Sequence, residues 1–586
     1  MAVENLITEH IDIWTSAVKT RSASGRGSSK KLELYGVKKL RELILELAVR
    51  GKLVPQNPND EPASVLLERI AAEKALLVKE KKIKKPKSLA PIEQDDISYR
   101  LPNGWAAARL GNICNKLTDG SHNPAKDAGL GYPMYSSQNV QFRKIDFSNP
   151  SRYVDEQDYQ KEHARTQVQS GDILLTIVGT LGRAAVVPED APDFVLQRSV
   201  AVIESALNSD FLTYFFAAPI CIKYFEEHGK GTAQKGIYLG KLSLMPVFVP
   251  PLKEQHRIVA KVDELMALCD QLEQQTEASI EAHQVLVTTL LDTLTNSADA
   301  DELMQNWARI SEHFDTLFTT EESIDQLKQT ILQLAVMGKL VPQNPSDEPA
   351  AELLKRIAEE KAQLVKEKKI KKQKALPPIS EDEKPFEQPN GWEWCRLDDI
   401  CFGITSGSTP PKVNFNESEG TPYLKVYNIR EQKIDFEYKP QFVDNDCHKT
   451  KLARSVLYPG DVVMNIVGPP LGKIAIIPDT YPEWNCNQAI TFFRPIVPQL
   501  NKYIYTYLTA GSFLDSIELI GTAGQDNISV TKSRSILLPT PPLREQKRIV
   551  NKVHELFLLC NSLKMRLRKR QELKLCITDT IVEQAL

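Results

Sequence analysis

The 586-residue chain has little of what marks a metal, redox or membrane protein. Nine cysteines and nine histidines are scattered, with no C-x-x-C pair and no Cys/His cluster, which argues against a structural zinc site. A reduced, cytoplasmic protein is the expectation. No run of about 18 apolar residues occurs, so no membrane-spanning helix is expected. The opening MAVENLITEHIDIW carries acids and no unbroken apolar core, so no signal peptide is expected. The net charge of −3 gives no overall basic excess. That excludes a general nucleic-acid glue, although a local basic surface is enough to meet phosphates. Catalytic signatures are missing too: no G-x-x-x-x-G-K-[ST] loop, no H-E-x-x-H and no G-x-S-x-G. The string GRGSSK has the wrong spacing for a phosphate loop.

What is present is a duplication. GKLVPQNP occurs at Gly51–Pro58 and again at Gly338–Pro345. From Ala48 to Ile113 the chain lies on Ala335 to Ile400 without a gap, at a constant offset of 287. GDILLTIVGTLGRAAVVP (Gly171–Pro188) faces GDVVMNIVGPPLGKIAIIP (Gly460–Pro478). PPLKEQHRIVAKVDELMALCDQLE (Pro250–Glu273) faces PPLREQKRIVNKVHELFLLCNSLK (Pro541–Lys564) at an offset of 291. The flanks are near-identical, while the interiors, roughly 106–249 and 393–540, have diverged. The chain opens with the second part of the repeated block and closes with its first, and the centre carries both joined. Bringing the termini together would rebuild a second central block, which predicts a cyclic pseudo-twofold molecule.

The frame reads as helical. After PPLKEQ, the residues Ile258, Val262, Leu265, Cys269 and Leu272 are spaced 4, 3, 4, 3, and the copy gives Ile549, Val553, Leu556, Cys560, Leu563 and Leu567. That is a coiled-coil seam, in which Cys269 and Cys560 serve as small buried hydrophobes. A helix over Pro251–Thr295 would be about 65 Å long. LRELILELAVRGK and LKQTILQLAVMGK are helices stopped by a glycine with proline beyond. The runs KEKKIKK are read as solvated helix ends, contact with DNA or an acidic partner being the less favoured alternative, and SASGRGSSKK at 22–31 as a flexible link.

Each variable interior begins with PNGW, ends with PP and carries β-rich runs such as GDILLTIVGT and GDVVMNIVG. Small, amide and basic side chains cluster beside the glycine turns. In the first interior the candidates are Thr118, Ser121, His122, Ser137, Gln138, Asn139, Thr180, Arg183, Gln197, Arg198, Thr232, Gln234 and Lys235. In the second they are Thr405, Ser406, Ser408, Lys412, Lys425, Asn428, Lys473, Asn487, Gln488, Thr522, Gln525 and Asn527. Asn and Gln can pair with adenine, Arg and Lys with guanine, and backbone amides at Gly-Thr turns suit phosphate oxygens. Any single cluster is read first as a surface turn. Recurrence at matched places in two diverged domains favours recognition. Asp119, Ser121 and His122 together suggest a nucleophilic triad, but the matched segment Thr405–Ser408 has no histidine, so catalysis is not expected there.

Two diverged domains with IVGT/P-LG and GTA landmarks, each followed by PPLxEQxRIVxKV, resemble the specificity subunit of Type I restriction-modification systems, from about residue 35 to the C-terminus. The resemblance implies an α+β fold: two mixed, β-rich target-recognition domains separated by long antiparallel coiled-coil helices, with internal pseudo-twofold symmetry. The expected division is an N-terminal extension and linker at 1–34, a conserved helical region at 35–98 and target-recognition domain 1 at 99–250. A central helical spacer at 251–385, target-recognition domain 2 at 386–541 and a conserved helix at 542–586 follow. It further implies a non-catalytic subunit that binds double-stranded DNA and docks two methyltransferase subunits and motor-nuclease subunits. S-adenosylmethionine would sit on the methyltransferase, ATP and Mg on the motor-nuclease, and no metal or cofactor on this chain. The Asn/Asp-Pro-Pro-aromatic motif that holds a flipped adenine is absent; NPND, NPSD and TPPLRE lack the aromatic. An enzyme with an unfamiliar site, or a protein-binding coiled-coil scaffold, remain the alternative readings.

Overall fold

The computed structural model describes the chain apart from residues 1–2, 22–30, 84, 86–87, 94–96, 98, 232–234, 469, 518 and 523–524. The expected flexible link at 22–31 falls almost wholly outside the described residues, as do the candidates Thr232 and Gln234. The chain forms two units, Met1–Ile280 with Arg570–Leu586, and Glu281–Lys569. The C-terminal segment therefore completes the first unit, as the order of the repeated blocks predicts.

Each unit is built on a short frame helix, Tyr35–Val49 in the first and Glu321–Val336 in the second. Each ends at a left-handed glycine, Gly51 (φ 68°) and Gly338 (φ 72°). A second pair follows after proline, Ala63–Lys79 and Ala350–Lys366. Two 40-odd-residue helices, Leu252–Thr295 and Leu543–Ala585, each run from one unit into the other. Short helices precede both frame helices. Val3–Glu9 and Ile11–Ser16 bury Leu6, Ile7 and Trp14 in the first core, while Ala300–Glu312 buries Ile310 in the second.

The predicted seams are buried inside their own units. Ile258, Val262, Leu265 and Cys269 belong to the first core, with Leu272 packed against it. Ile549, Val553 and Cys560 belong to the second, with Leu556, Leu563 and Leu567 packed against it. Flanking pairs identify what each seam meets. Arg41 on the first frame helix bonds Asp270 at 2.7 Å, and Lys328 at the matched place bonds Asn561 at 2.6 Å. Burial pushes the Cys269 thiol up to about 11, so it stays a neutral hydrophobe.

The β-rich interiors share the topology of their main sheet. A four-stranded antiparallel sheet runs Ala184–Val186, Ile173–Thr176, Val200–Ser205, Cys114–Asp119 in the first unit. In the second it runs Ile474–Ile476, Val462–Asn465, Ile490–Phe493, Thr405–Ser406. A smaller sheet contains one parallel pair in each unit, Val195–Leu196 with Tyr132–Tyr135 and Asn485–Cys486 with Thr421–Leu424. Divergence has replaced side chains and kept the order of the main sheet, while the sheet with the parallel pair has three strands in the first unit and four in the second.

Candidate nucleic-acid interface

The site is best followed from its root. In the first unit the strands Ala106–Arg109 and Pro246–Val249 pair where the interior leaves and rejoins the frame. The GKLVPQNP loop grips that root. Trp105 Nε1 donates to the buried Glu254 carboxylate at 3.1 Å, and Gln56 Nε2 donates to the same oxygen at 3.4 Å. Arg257 holds the buried Asp60 at 2.7 Å. In the second unit Trp392 meets Glu545 at 3.1 Å, Gln343 the same oxygen at 3.3 Å, and Arg548 holds Asp347 at 2.7 Å. Burial raises the pKa of both Glu254 and Glu545, the hydrogen bonds from Trp and Gln opposing it. The repeated octapeptide is one socket used twice, for two different domains.

From each root the strands lead to a run of turns that touch one another. In the first unit Ser121 N donates to Leu196 O at 2.8 Å and Arg198 N to Ser121 O at 2.9 Å. Ser137 N donates to Ser199 Oγ at 3.0 Å, and Gly179 N to Lys235 O at 2.9 Å. The segments holding Ser121–His122, Ser137–Asn139, Thr180–Arg183, Gln197–Arg198 and Lys235 thus share one edge. Thr118 lies on the neighbouring strand, opposite Val202. Thr180, Gln138, Arg198, His122 and Lys235 are exposed there, while Gln197 and Arg183 are half-buried. A groove of about 690 Å³ runs beside this edge, bounded by Thr180, Arg183, Lys235, Phe142 and the frame residues Lys38 and Arg41.

The second unit assembles the matching edge. Gly407 N donates to Ile490 O at 3.0 Å, Ser408 N to Cys486 O and Asn487 N to Leu424 O, each at 3.1 Å. Gly468 N donates to Asp526 O at 3.2 Å. Thr409 bonds Gln488. This brings Thr405, Ser406, Ser408, Lys425, Asn428, Asn487 and Gln488 beside the turn that ends at Lys473 and the hairpin Ile520–Thr522 with Gln525–Asn527. Lys412 is exposed on the short 3₁₀ turn Lys412–Asn414. For Thr522 and Gln525 only the backbone is described.

Several candidates hold the site together internally. Asn139 accepts from Ser136 N at 3.0 Å and donates to Asp146 O and Asn149 O; Asn428 repeats this with Lys425 N, Asp435 O and Tyr438 O. Ser121 Oγ bonds Glu162 at 2.9 Å, whereas His122 bonds Asp119 at 2.8 Å. Serine and histidine therefore do not form a relay. Sequence reasoning missed Arg454, which donates to Ser408 Oγ at 3.1 Å, and Phe142 and Arg143 on the hairpin Val140–Gln141 with Lys144–Ile145. Arg143 ties that hairpin to Asp210 at 3.0 Å and to Asp263 on the long helix. A left-handed non-glycine at a hairpin tip (φ 56°) leaves only a weak trace in sequence.

Chemically, each edge offers amides, hydroxyls, cations and backbone N–H groups on a fixed scaffold, and matched positions carry different groups, Gln197 and Arg198 in the first unit against Asn487 and Gln488 in the second. The family model for the Type I restriction modification DNA specificity domain matches residues 102–282 and 389–575. The chain is 43% identical over 603 residues to the Type I restriction enzyme EcoAI specificity subunit of Escherichia coli, covering 100% of both chains. It is 42% identical over 607 residues to the EcoEI specificity subunit of Escherichia coli, again over 100% of both. Among solved structures it is similar to a chain described under complex assembly and conformational transition of the type I R-M system. That likeness has a TM-score of 0.49 at 18% identity, over 83% of this chain and 98% of the other.

Proposed function

The chain belongs to the family of Type I restriction-modification specificity subunits, and from that premise we propose that each β-rich domain reads one half of a bipartite, asymmetric double-stranded DNA site. The carrying observation is the contrast between root and edge. The two sockets match bond for bond, while the edges they present differ: Thr180, Arg183, Gln197 and Arg198 in one, Lys473, Asn487 and Gln488 in the other. A single reader used twice would keep its edge; two readers of unlike sequences keep only the mount. Arg and Lys can pair with guanine in the major groove, and Asn or Gln with adenine. The helical frame fixes the spacer between half-sites, as two readers on one ruler require.

In this proposal the chain supplies recognition, and partners supply chemistry. Two methyltransferase subunits docked on the frame bring S-adenosylmethionine for adenine methylation. Motor-nuclease subunits bring ATP and Mg for restriction of unmodified DNA. The deciding experiment is a genome-wide map of methylated adenine in a host carrying the partner methyltransferase, with and without this chain. A new interrupted motif is expected only with the chain. No new methylation while the partner still binds would overturn the reading, and modification by the purified chain alone would overturn the assignment of chemistry to partners. DNA affinity that falls steeply with salt supports phosphate contact, and flat salt dependence contradicts it.

A further inference from the structure

The turns that carry Thr180–Arg183 and Lys473 each follow the last residue of an otherwise apolar strand, Thr176 in ILLT and Asn465 in VVMN. Both residues are 0% exposed, and they occupy matched ends of matched strands, Thr176 opposite Val200 and Asn465 opposite Ile490. Each makes the same two-point connection. Thr176 Oγ1 accepts from Arg183 N at 2.9 Å and donates to Thr180 O at 2.6 Å. Asn465 Oδ1 accepts from Lys473 N at 2.6 Å, and its Nδ2 donates to Pro470 O at 2.9 Å. The backbones close the turns in parallel, Thr176 N to Arg183 O at 2.8 Å and Asn465 N to Lys473 O at 3.0 Å.

The second turn is one residue longer than the first: Lys473 lies eight residues after Asn465, Arg183 seven after Thr176. The side chains differ in the compensating direction. A hydroxyl donates and accepts through one atom, so it joins two backbone groups that lie close together. An amide carries its donor and acceptor one bond further from the backbone, and it meets a carbonyl five rather than four residues on and an N–H eight rather than seven residues on. Building on the half-site reading above, we propose that Thr176 and Asn465 are positioning residues for DNA recognition. Each is a buried strut whose length is matched to its turn, and it holds the tip and the following cation at the angle a base edge demands. Neither faces the DNA. Specificity is thereby encoded partly beneath the surface that reads it.

The test compares T176V, T176S and N465T in the full chain with its methyltransferase partner, reading the base preference of each half-site position by position alongside thermal unfolding and non-specific DNA affinity. Valine keeps the shape of threonine and orphans the Arg183 N–H and the Thr180 carbonyl. Discrimination in the half-site read by the first domain is expected to fall by about tenfold or more. The other half-site and the non-specific affinity should be unchanged, and T176S should read as the wild type. N465T, too short for its turn, should relax the other half-site and stay clear of the first, which gives an independent arm if T176V folds poorly. Wild-type discrimination in both T176V and N465T would overturn the inference alone. So would equal losses at both half-sites, the mark of general destabilisation. A wild-type chain with no base preference in either half would overturn the reading itself, and the inference with it.

Discussion

Gly51 shows how much one residue of the socket carries. It sits at φ 68°, where a side chain is strained, and a Cβ there would meet Pro102 Cγ at 2.5 Å and Trp105 Cζ2 at 2.9 Å. The expected result of G51A is a destabilisation of about 1–3 kcal/mol in the first unit, from strain plus overpacking, measurable by denaturant unfolding. Trp105 is the neighbouring test. W105F keeps one aromatic ring, loses the pyrrole half of the indole and its donor to Glu254, and leaves a buried carboxylate one partner short. A loss of about 1–3 kcal/mol or more is expected. The carboxylates themselves set a pH dependence. The folded pKa of Glu254 and of Glu545 is raised by burial above the ordinary value near 4.5. An acid of that kind binds its proton more tightly when folded. The extra stability is present below the ordinary value and is lost as pH climbs to the raised one. The E254Q/E545Q double variant should therefore show a shallower fall in stability with pH above 4.5 than the wild type, and parallel curves would refute that origin.

At the scale of elements, the frame was legible in the sequence because its signals are local. Apolar spacing of 4 and 3 marks the seams, and a glycine followed by proline marks the ends of the short helices. What that spacing does not say is which surface the seam meets. Here it meets the short frame helix of its own unit, as the Arg41–Asp270 and Lys328–Asn561 contacts record. Ile258 is 0% exposed in the first core, so I258A is expected to cost about 2–5 kcal/mol and to lower the melting temperature of the first unit. The proposed reading edge was legible only in part. Exposed Thr180, Gln138 and Arg198 announce themselves by sitting near glycine turns. Asn139 and Asn428 carry the same signal while their amides are committed inside the loop. Composition cannot separate an amide that reads from one that braces, because both uses favour the same turn. Thr176 and Asn465 did leave a trace, a polar residue closing an apolar strand, but its meaning depends on a turn closure that no local pattern reveals.

For the whole molecule, the order of the repeated blocks carries the strongest consequence. Lys52 donates to the Leu586 carbonyl, and its counterpart Lys339 donates to the Thr295 carbonyl at 2.8 Å. Leu586 and Thr295 are equivalent under the offset of 291, so the end of the chain and the middle of the chain serve one structural purpose. The first unit is therefore assembled from residues that sequence separates by more than 500 positions. Tyr35 OH bonds Asp579 at 2.7 Å, Gln571 bonds Val18 O at 2.7 Å, and Ile581 enters the first core. Deleting Arg570–Leu586 should then strike the unit at the other end of the sequence. Calorimetry is expected to show the transition of the first unit moved to lower temperature while that of Glu281–Lys569 is retained. On the proposed half-site reading, the methylation map should lose its requirement for the half-site of the first domain and keep the second. Equal damage to both transitions would mean that the units do not fold as separate bodies, and an unshifted first transition would mean that the closing contacts of the C-terminal helix are dispensable. The selective outcome alone fits a molecule in which two domains share one duplicated mount and the segment Arg570–Leu586 closes the first of them.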